Sequence, residues 1–210
     1  AADKFNEAAE KGDDDAMLKT AELLEEGIYL QKNPTKAFEY YSVLAERGNV
    51  FSCVKVGNYL EQQGQLPQAV QHYRTAADKE DPAGMYYFGM MLLDGKGITQ
   101  SSAVGVQMIE KASNADFPAA LNKFGTILMS GAFEVKKNEK KAFKLIKKAA
   151  DLNDVESYHH VATSYEYGKG VKADLKKAAE YYEKSYKSGN TYAADDQNNF
   201  YRIQRDLSKK

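Results

Sequence analysis

Two short segments carry the residue types that a phosphate-binding loop would use. Gly95–Gly97 and Gly168–Gly170 both read Gly-Lys-Gly and precede a helical run, which is the order of elements in many anion sites. However, each has too few residues between glycine and lysine, lacks a following Lys-Ser/Thr pair, and comes after a helical pattern instead of a strand. We therefore predict that both segments are structural turns.

The histidines and the cysteine make no stronger case for catalysis. His159 and His160 are neighbours, so on a helix their side chains diverge by about 100° and do not share one metal ion. His72 stands where equivalent segments carry Tyr, Met or Leu, which indicates packing instead of a general base. Cys53 is the single cysteine, so no internal disulfide or paired-thiol site can form, and a buried inert thiol is expected. The sequence thus predicts no enzyme, with no catalytic residue, metal or cofactor.

Charge and hydropathy argue against two classes of partner. The 29 basic and 30 acidic residues give a net charge of -1, which does not suit a surface for nucleic acid. The uncharged apolar stretch Pro82–Leu93 is far shorter than the roughly 20 apolar residues of a membrane span, so no direct membrane insertion is expected. The charged first residues do not read as a signal peptide. A cytoplasmic protein is expected, or one in a lumenal or membrane-associated complex if a signal sequence has been removed.

A repeated pattern of small residues organises the whole chain. Small residues recur at intervals of 32 to 37 positions, each followed three positions later by a large apolar residue and a few positions further on by a glycine. This small-residue column comprises Ala21, Gly57, Gly89, Gly125 and Ala162. The spacing predicts an amphipathic helix in each repeat that ends at a left-handed glycine.

A second column of small residues runs in step with the first. It comprises Ala37, Ala69, Gly105, Ala142 and Ala178, with bulky residues three and four positions later. Small residues let two helix axes approach closely, and large neighbours fill the adjoining groove. We therefore predict repeats of two helices each, which must stack to bury their apolar faces.

The columns also predict how the chain is divided. We expect one domain over residues 1–210, with Phe200, Ile203 and Leu207 sharing one face of its last helix. Its predicted parts are a partial repeat at 1–13, full repeats at 16–50, 52–81, 83–117, 119–154 and 156–190, and a capping helix at 191–210. Because the first segment fits the second helix of a repeat, we expect a fragment, or a covering element that this sequence lacks.

The clearest repeat resembles a known family. Gly168–Val171, followed by Asp174, Ala178 and Tyr181–Tyr182, is similar to the Sel-1-like repeat, a relative of the tetratricopeptide repeat, and Gly95–Ile98 has the same loop. The resemblance covers nearly the whole chain, with departures in the shortened loop at 58–68 and in the loop at 131–133. It implies an all-α fold, a right-handed α-solenoid of two-helix repeats, and a non-catalytic adaptor.

A partner is expected on the first helix of each repeat, because first helices line the concave surface of such solenoids. Positions -2, +1 and +5 from the first column form one stripe away from the packing positions. The stripe predicts a protein or peptide site formed by Lys55, Tyr87, Met90, Asp94, Lys123, Thr126, His160, Thr163 and Tyr167. Tyr87, Met90 and Tyr167 are the expected anchors, and Lys55 and Lys123 would meet an acidic or C-terminal group.

Two alternatives stay open at this point. Tyr87 and Met90 are equally suited to packing between repeats, because aromatic and thioether side chains serve both purposes. The chain is also suited to a structural role, as a docking or dimerisation module of a longer protein whose activity lies in another domain. Self-association is therefore the second kind of partnership that we consider.

Overall fold

The fold is built from helices alone. The computed structural model describes the backbone of residues 2–209 and the side chains of residues 4–209, and within that range it contains twelve helices and no strand. They are α1 (Ala2–Glu10), α2 (Asp14–Glu26), α3 (Pro34–Glu46), α4 (Val50–Gln62), α5 (Leu66–Asp78), α6 (Pro82–Asp94), α7 (Ser102–Asn114), α8 (Pro118–Ser130), α9 (Glu139–Asp151), α10 (Val155–Tyr167), α11 (Leu175–Ser188) and α12 (Ala193–Leu207). The prediction of an all-α fold of two-helix repeats is confirmed.

The chain forms two compact units. Ala1–Ser101 contains α1 to α6, and Ser102–Lys210 contains α7 to α12. Among α2 to α11, the even-numbered helices are the first helices of repeats and the odd-numbered helices are the second helices. None of the described helices has the length and apolar character needed to cross a bilayer.

The predicted small residues lie where the two helices of a repeat touch. A Cβ atom added at Gly57 would lie 2.5 Å from the Tyr73 ring, and one added at Gly125 would lie 2.5 Å from Ile146 Cγ1. Such distances are far inside van der Waals contact, so only glycine fits at these two positions. In the second column Ala142 and Ala178 are fully buried.

A third small-residue column, which the sequence analysis did not identify, joins consecutive repeats. It lies five positions before the first column and comprises Ala16, Ser52, Gly84, Ala120 and Ser157, all buried. At Gly84 an added Cβ would lie 2.5 Å from Ala76 Cβ. The column therefore lets the start of a first helix pack closely on the end of the second helix before it.

The Gly-Lys-Gly loops are turns with a packing role. Gly95 and Gly168 end α6 and α10 in the left-handed conformation. Gly97 and Gly170 are also left-handed, and a Cβ at either would collide with backbone atoms at the start of the preceding repeat's second helix. The second glycine thus lets the loop touch the repeat before it.

Two other loops adopt the same conformation without the second glycine. Tyr29 and Phe133 stand two residues after the helix-ending glycine, have φ values of 65° and 56°, and are exposed. An L-residue with a side chain is strained in this region. The loop predicted to depart at 131–133 is also one residue longer than the loop after Gly168, and both Phe133 and Glu134 in it are left-handed.

The first and last helices both contribute apolar side chains to the core. On α1, Ala9 is fully buried beside Ala16 and Leu44. On α12, Ile203 is buried and Phe200 and Leu207 pack partly against the same cluster as Tyr182.

Candidate partner-binding grooves on the first helices

Buried tyrosine–glutamate pairs hold the first and second helices together in three of the repeats. The hydroxyl groups of Tyr41, Tyr73 and Tyr182 donate hydrogen bonds to Glu25 at 3.0 Å, Glu61 at 2.8 Å and Glu166 at 2.7 Å. Burial, followed by the effects of these glutamates, raises the pKa of all three phenols well above the usual range. The tyrosines therefore remain neutral donors.

The sequence holds a signal for these pairs, although the sequence analysis did not use it. Both partners stand four positions after the small residue of their column. In the fourth repeat those positions carry Met129 and Ile146. Because an unpaired carboxylate is costly in a half-buried seam, the polar pair is replaced there by two apolar residues.

Groove 1 lies between α2, α3 and α4 and contains one predicted site residue, Lys55. It has a volume of about 220 Å³ and is lined by Glu25, Phe38, Tyr41, Lys55 and Tyr59 among others. Lys55 Nζ lies 2.8 Å from Glu25 Oε2, and Phe38 stacks on Tyr59 with ring centroids 4.3 Å apart. The charge that the stripe predicted for an acidic partner is thus already paired within the fold.

Groove 2 lies between α4 and α6 and contains three predicted residues, Tyr87, Met90 and Asp94, all of them on α6. Its volume is about 170 Å³, and its lining includes Glu61, Tyr86, Tyr87, Met90, Asp94 and Lys96. Tyr87 stacks on Tyr73 at a centroid distance of 5.1 Å, so it contributes to packing while still lining the groove. Asp94 forms an ion pair with Lys96 at 3.1 Å.

Groove 3, in the second unit, brings together four predicted residues from α8 and α10. Its volume is about 380 Å³, and Thr126, His160, Thr163 and Tyr167 all line it. Lys169 lies over the Tyr167 ring with Nζ 5.6 Å from the centroid, and Lys137 pairs with Glu139 at 2.8 Å. Lys123 is half-buried on α8 and is not among the residues that line this groove.

Burial decides the charge of the histidine in groove 3. Desolvation lowers the pKa of His160 to about 4, and the charge of His159 acts in the same direction against weaker opposing effects of Glu156 and Asp196. His160 is therefore neutral near pH 7, so its ring contributes hydrogen-bonding capacity and apolar surface instead of a positive charge.

The adjacent histidine belongs to a network that fastens α12. His159 Nδ1 lies 2.8 Å from Asp196 Oδ1, and Ser185 Oγ donates to Asp196 Oδ2 at 2.5 Å. Asp196 is fully buried, and the His159 ring stacks on Tyr192 at 4.0 Å. Serine and histidine both bind the carboxylate here, whereas a nucleophilic triad needs histidine between the other two. The cluster therefore has a structural role, because it links α10, α11 and α12.

Metal and thiol chemistry find little support in this chain. Within the described part of the chain, no group of three or more His, Cys, Asp and Glu side chains converges on a possible metal position. Cys53 is buried, and burial raises the pKa of its thiol, which favours the unreactive protonated form. The grooves therefore offer recognition groups: hydroxyl groups, aromatic rings and paired charges.

Comparison with known proteins identifies the family. Two-helix repeats packed through small residues define the class of α-solenoid repeat proteins. Within that class, the model of the Sel1 repeat matches residues 14–49, 50–81, 82–117, 118–154 and 155–190. The chain therefore belongs to the Sel1 repeat family, as its Gly-Lys-Gly loops indicated.

Individual relatives show the same architecture over most of this chain. It is 26% identical over 210 residues to chitin synthase regulatory factor 4 of Schizosaccharomyces pombe, covering 90% of this chain and 33% of the relative. A protective antigen of uropathogenic Escherichia coli has 27% identity and a TM-score of 0.72, covering 98% of this chain and 44% of the antigen. A Sel1 repeat protein from Oxalobacter formigenes has 24% identity and a TM-score of 0.71, covering 86% of this chain and 73% of that protein. The chain thus spans less than half the length of the first two relatives.

Proposed function

We propose that this chain is a non-catalytic scaffold that holds a protein or peptide against the first helices of its repeats. Sel1 and tetratricopeptide-like repeats generally mediate protein–protein interactions. The observation that carries the proposal for this chain is groove 3, in which predicted residues from two successive first helices line one open channel.

The chemistry of groove 3 suits an extended peptide. The Thr126 and Thr163 hydroxyls donate to the backbone carbonyls of Lys123 and His160, so their oxygens are left to accept hydrogen bonds from a peptide. Tyr167 supplies a large exposed ring that gains contact area with little loss of side-chain entropy. Lys137 and Lys169 add positive charge at the rim, which favours an acidic group on the peptide.

The predicted lysines take different parts in this proposal. Lys55 is paired with Glu25 in groove 1, so an acidic group of a partner would compete with Glu25 for it. Lys123 stands on α8, the helix that carries Thr126, and would assist by charge without forming part of the groove. We keep both as secondary contacts, with Tyr87, Met90 and Asp94 of groove 2 as a separate recognition point.

The named relative suggests the kind of role that such a scaffold has. The S. pombe protein is called a chitin synthase regulatory factor, which describes a protein that acts on an enzyme. We propose an analogous role here, in which the chain positions or regulates a partner without catalysing a reaction itself. A compartment that keeps Cys53 reduced, such as the cytoplasm, belongs to the same proposal.

A photo-crosslinking comparison tests the scaffold proposal. The crosslinking amino acid p-benzoyl-phenylalanine would replace Tyr167, or in a matched protein Tyr201 of α12. The two side chains are similarly exposed, at 63% and 58%, so non-specific capture is expected to be equal. We expect a discrete partner to be crosslinked through position 167 and not through position 201. Equal patterns from the two positions would contradict the proposal.

Docking or dimerisation is the second candidate. The observation in its favour is Phe5, a large apolar side chain that is exposed on α1. Light scattering of the chain over a range of concentrations separates the two roles, because association that depends on Phe5 favours docking. A stable monomer, unchanged by Phe5→Ser, would leave the peptide scaffold as the function.

A further inference from the structure

We propose that groove 2 binds a cationic side chain of the partner, and that an arginine fits it best. This inference rests on the proposed scaffold function and specifies the chemistry of one recognition point in the first unit. Groove 2 combines two carboxylates, clustered tyrosine rings and a thioether in about 170 Å³. That volume suits the end of one side chain more closely than a folded element.

The first argument is the placement of the carboxylates. Glu61 comes from α4 and Asp94 from α6, so two consecutive first helices direct negative charge at one pocket. Glu61 is held in place by the Tyr73 hydroxyl, which donates to Oε2 at 2.8 Å. An ionised carboxylate has about four acceptor positions, so this bond leaves Glu61 able to accept further donors.

The second argument is the arrangement of the aromatic rings. Tyr87 stacks on Tyr73 with an interplanar angle of 18°, and Tyr86 meets Tyr87 edge to face at 5.2 Å and 68°. Ring faces carry partial negative charge and attract cations. Because Tyr87 is already fixed by stacking, a partner would not have to immobilise it, and Met90 adds a polarizable, adaptable surface.

The third argument is the cation that the groove already holds at its rim. Lys96 pairs with Asp94 at 3.1 Å, and both side chains are more than one-third exposed. Exposed pairs of this kind are weak and exchange readily, so a partner cation can replace Lys96. Arginine is favoured over lysine because its planar guanidinium stacks on a ring while forming two parallel bonds to a carboxylate.

Groove 3 provides an internal comparison within the same chain. Its rim carries Lys137 and Lys169, and its histidine, His160, is neutral near pH 7. A cation meets only one lining carboxylate there, Glu139, whereas groove 2 is lined by two. The two grooves are therefore expected to respond differently to the same cationic probe.

The test uses small probes, because no partner needs to be known. N-acetyl-arginine amide, N-acetyl-lysine amide and the neutral isostere N-acetyl-citrulline amide are titrated at millimolar concentration into the isotope-labelled chain, and amide NMR shifts are followed. Arginine is expected to give saturable shifts around Tyr87 to Asp94, lysine weaker ones, and citrulline none. Amides around Thr163 and Tyr167 should stay unchanged.

Two surface variants give effects of opposite sign. Asp94→Asn should weaken arginine binding about tenfold, in keeping with the loss of a charge-assisted bond. Lys96→Ala should strengthen it, because the resident competitor is removed. Binding of citrulline equal to that of arginine, the absence of shifts with any probe, or weakening by Lys96→Ala would each overturn the inference. Crosslinking at position 167 does not depend on groove 2, so failure here is distinct from failure of the scaffold proposal.

Discussion

At the scale of single residues, function and stability share the same side chains. Tyr87 stacks in the helix seam and also lines groove 2. Glu25 accepts from the Tyr41 hydroxyl and pairs with Lys55. Because such side chains also pack the fold, the register of the stripe by itself does not identify which of its residues are free to bind a partner.

The tyrosine–glutamate pairs predict a measurable stability effect. Tyr182→Phe removes the donor to Glu166, whose carboxylate is nearly buried, and we expect the free energy of unfolding to fall by about 1 to 2 kcal/mol. Urea denaturation followed by circular dichroism would measure it. Tyr201→Phe on the exposed face of α12 is the control and should change little. Equal changes in the free energy of unfolding for the two variants would contradict a stabilising role of the Tyr182–Glu166 pair.

His160 predicts a dependence of stability on pH. Its pKa in the folded chain is about 4, below the usual value near 6.5, so the unfolded chain binds more protons in this window. The contribution of neutral His160 to the free energy of unfolding is therefore fully present above about pH 6.5. It is lost as the pH falls towards 4, by at most about 3 kcal/mol. Denaturation midpoints over this range should show a shallower slope for His160→Asn. An unchanged slope would contradict the assignment.

At the scale of elements, the residue types in the loops are constrained by packing, as those in the helices are. The second glycine of each Gly-Lys-Gly loop brings its backbone against the start of a second helix. The helices themselves begin at Asp or Asn caps in most repeats, as at Asp81, whose side chain accepts from the Gly84 amide. Local signals thus set where each helix starts and stops.

Two glycines in one loop allow steric contact to be separated from backbone strain. Gly168 and Gly170 have nearly equal positive φ values, but an added Cβ has ordinary contacts at Gly168 and a severe clash with Glu139 at Gly170. We expect Gly168→Ala to cost about 1 kcal/mol from strain alone and Gly170→Ala to cost about 1 to 3 kcal/mol more. Thermal denaturation compares them directly. Equal losses would show that the loop contact contributes nothing.

At the scale of the whole molecule, the chain consists of two compact units made from the same kind of repeat. Stability in such arrays is roughly a sum of repeat terms and contacts between neighbours. A substitution at a helix contact should therefore act mainly in its own unit, because its nearest contacts are all local to that unit.

Matched glycine substitutions test this local character. Gly57→Ala places a Cβ against Tyr73 in the first unit, and Gly125→Ala places one against Ile146 in the second. Amide hydrogen exchange should lose protection in α4 and α5 for the first variant and in α8 and α9 for the second. Equal loss across both units in either variant would contradict independent local stability.

Much of the fold and part of the site were predictable because their signals are local. Small residues, helix-ending glycines and capping residues each act within a few positions of where they stand, so Gly57 and Gly168 could be assigned from spacing. The tyrosine–glutamate pairs, which stand four positions after the small residues of the two columns, could also be predicted from the sequence, but only by comparing the two columns with each other. The third column was missed because its members differ in type and its partner, as at Gly84 and Ala76, belongs to the preceding repeat.

By itself, the sequence determined the two-helix repeats and the glycine turns that end their first helices. Only the tertiary structure decided that Lys55 is paired with Glu25, thirty positions away, and that His159 fastens α12 through Asp196. The physical reason is the distance along the chain over which each effect acts. Backbone conformation follows from neighbouring residues, whereas the pairing and burial of a charge depend on atoms that only folding brings together.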